Sequence, residues 1–124
     1  MRRAFSFGLT VWGLLTLLPS CHRCQDLTDK ICSDLGAKDC AAWKEADGPG
    51  QVNRGGRGGN RLCGDIMSND LAYEGTLNGA RGTALVRRLT VAQQKGDKAE
   101  VAAVTAQLAD NKKRIEEGLK KLRR

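Results

Sequence analysis

The chain has 124 residues, a formal net charge of +7, 4% aromatic residues and a single histidine. That length allows one small domain at most, and so few aromatic side chains exclude a large aromatic core. Catalysis built on several histidines is excluded as well, while the positive balance favours anionic partners.

At the start, Arg2 and Arg3 precede an apolar-biased run from Ala4 to Leu18, and Ser20 stands before Cys21. A positive start, a hydrophobic stretch and a small residue at the cut are the anatomy of an export signal. The run is about 15 residues long, short of the roughly 20 that a spanning helix needs. No second apolar stretch of that kind follows, so residues 21–124 read as a soluble portion. Leu18 is bulky where the ordinary signal peptidase takes a small residue.

Leu18-Pro19-Ser20-Cys21 does resemble the lipobox of bacterial lipoproteins, a resemblance confined to the leader. It implies that residues 1–20 are a signal peptide and that Cys21 becomes a lipidated N-terminus, carrying a diacylglycerol and an amide-linked acyl chain such as palmitate. One myristoyl chain binds a membrane only marginally, so a multi-chain anchor would hold durably. The implied address is the cell envelope. His22 follows the cysteine in place of the aspartate that resembles an inner-membrane retention signal in enteric bacteria, which favours the outer membrane over the inner. Arg2-Arg3-Ala4-Phe5 also resembles part of a twin-arginine signal, although any positive start has the same need for basic residues.

With Cys21 assigned to lipid, Cys24, Cys32, Cys40 and Cys63 remain, an even set that suits two disulfides in an oxidising compartment. Small domains with thin cores use such staples. Cys24 and Cys32 fall on what reads as one helix, about 12 Å apart along its axis, which is beyond disulfide reach. Two pairings are left. Cys32 with Cys40 across a turn at Gly36, together with Cys24 and Cys63, is preferred to Cys24 with Cys40 and Cys32 with Cys63.

Residues 21–47 read as an acidic, disulfide-stapled helical head. Leu27, Ile31 and Leu35 recur every four positions, which predicts an amphipathic helix over 25–35 that stops at Gly36. Asp39 is placed to cap a second short helix from Cys40 to Ala46, with Trp43 as the main core residue of the head. Residues 48–61 contain Gly-Pro-Gly and two Arg-Gly-Gly steps, with Val52 the one aliphatic side chain, and read as a flexible Gly/Arg-rich loop.

Residues 62–124 read as a helical hairpin with a basic C-terminus. Gly64, Gly75, Gly79 and Gly82 each cost about 1 kcal/mol in a helix interior relative to alanine, which predicts a weak or broken stretch over 75–82. Ala84, Leu85, Leu89 and Ala92 line one side of the surer part that follows. Gly96-Asp97 breaks the pattern, and Asp97 can cap the next helix. From Lys98 to Leu122 the residues Val101, Val104, Leu108, Ile115 and Leu122 keep helical spacing, with Asn111 and Gly118 on the seam. Those interruptions favour packing against the preceding segment over a long parallel coiled coil. The expected fold class is therefore all-α: a stapled helical head, a Gly-rich loop and a C-terminal helical hairpin.

Charge divides unevenly. Lys112, Lys113, Arg114, Lys120, Lys121, Arg123 and Arg124 crowd the end of the last helix, where only Glu116 and Glu117 oppose them. Basic residues complement the helix dipole there, and they are also the candidate contacts for an anionic envelope polymer or lipid head groups. A protein partner is compatible with the same surface.

Other motifs carry less. Cys21-His22-Arg23-Cys24 has the spacing of a thioredoxin-like redox centre but lacks a following βαβ pattern, so thiol-redox chemistry at Cys21 and Cys24 stands as the alternative function. The cysteine spacing lacks the close pairs of structural zinc sites, and Gln25 stands where covalent haem attachment needs histidine. No aromatic residue lies among the Arg-Gly-Gly steps to stack on bases, so nucleic acid is not an expected partner. With no nucleophile elbow, zinc-protease motif, metal site or cofactor site in the chain, the expectation is a lipoprotein with no reaction of its own.

Overall fold

A computed structural model of the chain describes residues 22–53 and 59–124. Residues 1–21, on which the expected signal peptide, lipobox and lipidated Cys21 fall, lie outside the described residues, as does most of the Arg-Gly-Gly stretch. The described residues form helices alone: α1 (Arg23–Leu35), α2 (Ala37–Glu45), α3 (Gly48–Asn53), α4 (Gly59–Ser68), α5 (Asp70–Lys95) and α6 (Lys98–Leu122). The fold is all-α, with a disulfide-containing helical head at the N-terminal side and a hairpin of the two long C-terminal helices.

α1 buries the face its sequence spacing marks out, since Leu27 and Ile31 are inaccessible to solvent and Leu35 is half-buried. Gly36 ends it with φ 85°, a backbone conformation that disfavours other residues. The same glycine caps α2, which starts at Ala37 without a side-chain cap. Asp39 therefore does not cap α2 as expected. It lies inside the first turn, and its carboxylate accepts a hydrogen bond from Arg88 Nη1 at 2.7 Å instead.

The expected loop over 48–61 is corrected at its two ends, because α3 occupies Gly48–Asn53 and α4 begins at Gly59, while residues 54–58 lie outside the described residues. Packing supplies the order that composition argues against. Val52 packs on the core cluster, and Gly48 lies so close to the Trp43 indole that a Cβ there would overlap it. α4 is tied covalently to α1 through Cys24–Cys63, whose Cα atoms are 5.1 Å apart. The second disulfide, Cys32–Cys40, joins α1 to α2 with a Cα separation of 4.8 Å. α1 is thus stapled near each end. These are the two pairs preferred on the sequence.

α5 is one continuous helix, so the expected break over 75–82 is overturned. Its glycines are tolerated because the helix is braced on two sides. Tyr73, Leu77, Ala80 and Ala84 turn toward the head, where Ala80 and Ala84 join Leu27, Ile31, Trp43 and Cys63 in the core. Helical geometry puts Asn78, Gly82 and Leu85 on another face, and there α6 packs. Tertiary contact on both faces outweighs the propensity cost of the glycines. Asn69 caps the start of α5 by accepting from Ala72 N at 3.0 Å. Gly96, in the left-handed region at φ 68°, ends it.

α6 spans the residues expected of it, and Asp97 caps it as expected by accepting from Glu100 N at 3.1 Å. Its seam changes character along its length. Val104 is fully buried and Asn111 nearly so, whereas Ile115 is 40% and Leu122 65% exposed. Asn111 Nδ2 donates to the Asn78 carbonyl at 3.1 Å, while its Oδ1 is buried without a hydrogen-bond partner.

Candidate functional site

Two surface features stand out, one polar and one apolar. The polar one is a cleft of about 550 Å³ between the α1–α2 corner and the hairpin, lined by Lys38, Asp39, Arg81, Arg88, Gln107 and Arg114 among others. Arg88 is its centre. From α5 its guanidinium donates to Asp39 of α2 at 2.7 Å, to Glu100 of α6 at 2.7 Å and to Gln107 at 3.1 Å. Lys38 adds an ion pair to Glu100 at 3.2 Å.

Burial of Arg88 works against its charge, but hydrogen bonds to Glu100 and Asp39 outweigh that cost and raise its pKa further. Glu100 is held below the usual glutamate range, first by the hydrogen bond from Arg88 and then by that from Lys38. The charges of Lys38, Asp39, Arg88 and Glu100 are spent on one another, so this part of the cleft serves as a clasp that fixes α2, α5 and α6. Arg81 donates to the neutral Asn78 Oδ1 at 3.0 Å.

A smaller clasp joins α5 to α1. Tyr73 donates its hydroxyl to Asp34 Oδ2 at 2.5 Å, and the Lys30 ammonium sits 3.6 Å from the centre of the Tyr73 ring. Burial, and next the bond to Asp34, push the Tyr73 phenol well above its ordinary pKa. Neither clasp was legible in the sequence. Their members are 39 to 49 positions apart for Asp34–Tyr73 and Asp39–Arg88, and no local spacing encodes such a pairing.

The apolar feature lies where α6 ends beside the start of α5. A groove of about 300 Å³ runs between Leu71 on α5 and Ile115, Leu119 and Leu122 on α6, with Gly75, Gly79 and Gly118 along it. An added Cβ at any of these three glycines would meet nothing within 4 Å, so missing side chains keep the groove open. Glu74 is the carboxylate on its lining.

The seven basic residues singled out on the sequence, from Lys112 to Arg124, are all exposed along this end of the molecule. At helical spacing Lys112 borders the apolar stripe on one side, and Arg114 and Lys121 border it on the other. The apolar stripe of α6 is thus flanked by cations on both sides, while the α5 side of the groove carries Glu74.

The four cysteines offered as disulfide candidates are used as such, so their sulfurs are not thiolate ligands for a metal. Cys24 is bonded to Cys63, and not to Cys21. His22 is exposed just before α1. Among the described residues no group of three or more metal-ligating side chains gathers, and no helix is long and apolar enough to cross a membrane. Compared with known proteins, the chain matches no protein-family model, no curated protein and no solved structure.

Proposed function

We propose that this chain is an exported, lipid-anchored module of the cell envelope that works by structure and contact, with no reaction of its own. The observation that carries the reading is the use of the cysteines. Two disulfides take four of the five, tying α1 to α2 and to α4, and the fifth is the lipobox residue Cys21. Disulfides persist in oxidising compartments and are rare in the reducing cytosol, which supports export. The anchor would hold the head near the bilayer, the outer membrane being the favoured one, and leave the basic end of the hairpin as the contact surface. Intact mass of the native protein tests this. Loss of residues 1–20, acyl mass on Cys21 and four oxidised cysteines are expected; a retained leader or a bare Cys21 would overturn the reading.

A second reading is thiol-redox chemistry using Cys21 and Cys24, and one observation favours it. Cys24 is held in a disulfide, and Cys21 stands three positions before it in the sequence. Attack by the Cys21 thiolate on the Cys24 sulfur would form a Cys21–Cys24 disulfide and release the Cys63 thiolate, with no net oxidation. Alkylation of the native protein separates the two readings. Label on Cys21 or Cys63 supports exchange, while label on neither, with acyl mass present, supports the anchored module.

A further inference from the structure

We propose that the open end of the α5–α6 hairpin docks on the surface of an anionic lipid bilayer, with Leu71, Ile115, Leu119 and Leu122 entering the acyl boundary while the α6 cations meet head groups. The proposal rests on the envelope reading for the presence of a bilayer within reach, and it names the partner that the basic end contacts.

Three observations converge on this one place. Leu71 is 42%, Ile115 40%, Leu119 50% and Leu122 65% exposed, whereas Leu27, Ile31 and Val104 in the interior are at 0%. Four large apolar side chains standing in water side by side form a patch, and such patches mark contact surfaces. Next, Gly75, Gly79 and Gly118 hold the groove open at positions where an alanine side chain would fit and would favour the helix. Lastly, the cations border the leucines: Lys112 lies on one side, Arg114 and Lys121 on the other, and their aliphatic stems can lie along the apolar stripe with the charges outward.

Charge and apolarity together select the occupant. A soluble polyanion would be met by the lysines and arginines alone and would leave the leucines in water. A second copy of the same end would bring two sets of like charges together. An anionic bilayer matches both parts, since an apolar helix face edged by basic residues is the pattern that lies in a membrane interface.

The test uses the full chain with both disulfides intact and a Leu119→Trp variant. Subtracting the emission of the parent, which carries Trp12 and Trp43, isolates an indole at the groove rim. In vesicles of phosphatidylglycerol and phosphatidylcholine with brominated acyl chains, the added emission should shift to the blue and be quenched. In phosphatidylcholine alone, or at about 0.5 M salt, the quenching should fall severalfold. Lys112→Glu and Lys121→Glu should each weaken it by about fivefold. Ile115→Ser with Leu122→Ser keeps every charge and removes two exposed side chains, and should weaken docking by tenfold or more.

Three results would overturn the proposal: an added indole indifferent to anionic lipid, serine variants that dock as tightly as the parent, and a concentration-dependent dimer by sedimentation that alone shields position 119. The second result would point to a purely electrostatic polyanion contact, and the third to a second copy. Failure of the lipid anchor is read separately, from the mass on Cys21. A leader or acyl chain can bring the protein to any vesicle, but only docking of the hairpin makes position 119 respond to lipid charge.

Discussion

The head and the open end of the hairpin carry apolar residues at the same helical spacing, yet one end is dry and the other wet. Leu27 and Ile31 of α1 are closed over by α2, α4 and α5, whereas Leu119 and Leu122 of α6 face α5 on one side and solvent on the other. Periodicity therefore marks which face seeks cover, and the available partner decides whether it is covered. The head is also fastened covalently, by two disulfides on α1, while the hairpin end depends on the grip of α6 on α5. One region is built to persist and the other presents a surface.

The largest expected effect breaks the dry end. Trp43 is 2% exposed in the head core, and Trp43→Ala should cost about 3–5 kcal/mol in denaturant unfolding. An unchanged midpoint would show that the head does not depend on this core. Next come the staples. On the chain-entropy model, removing Cys24–Cys63, which closes a separation of 39 residues, should cost about 4 kcal/mol, and removing Cys32–Cys40, with a separation of 8, about 2.5. Paired serine substitutions measured under oxidising conditions test that order, and a reversal would shift the main fastening to the α1–α2 corner.

A moderate effect is expected where the two regions join. Arg88→Met should lose about 1–2 kcal/mol, because it parts α5 from Asp39 and Glu100 at once, and the side chain of Arg88 is only 11% exposed. The same clasp sets an acid dependence. Glu100 has a lowered pKa in the fold, so its contribution is complete above the ordinary glutamate pKa and is lost as pH falls through the lower, folded value. Stability of the parent should drop across that acid window, and Arg88→Met should flatten the drop; equal slopes would remove the clasp from the account.

The smallest effect has the opposite sign. Gly75→Ala and Gly118→Ala meet open space and should each stabilise the hairpin by up to about 1 kcal/mol in thermal unfolding. Destabilisation by either would mean that the groove is closed in solution.

Much of the local structure was legible before any fold was known. α6 was readable end to end because Val101, Val104 and Leu108 repeat at helical spacing and Asp97 and Gly96 punctuate its start. The preferred cysteine pairs followed from reach along a helix and a turn at Gly36. Misreadings fell where local composition argued against order. The glycines of α5 predicted a break that does not occur, and the glycines after Asp47 predicted a loop where α3 packs under Trp43. In both places burial against distant residues outweighed propensity.

The candidate surface was half visible. Seven basic residues at the end of α6 could be counted on the page, but the apolar groove beside them could not, because Leu71 and Leu119 meet only when α6 folds back along α5. The Arg88 clasp had no sequence signal at all. Elements, caps and covalent reach depend on residues a few positions apart, so the linear order of side chains was enough to decide them. Which apolar faces are sealed, which charges are spent and which stay exposed depends on residues on different helices, 12 positions apart for Arg88–Glu100 and 49 for Asp39–Arg88, and packing alone brings those together.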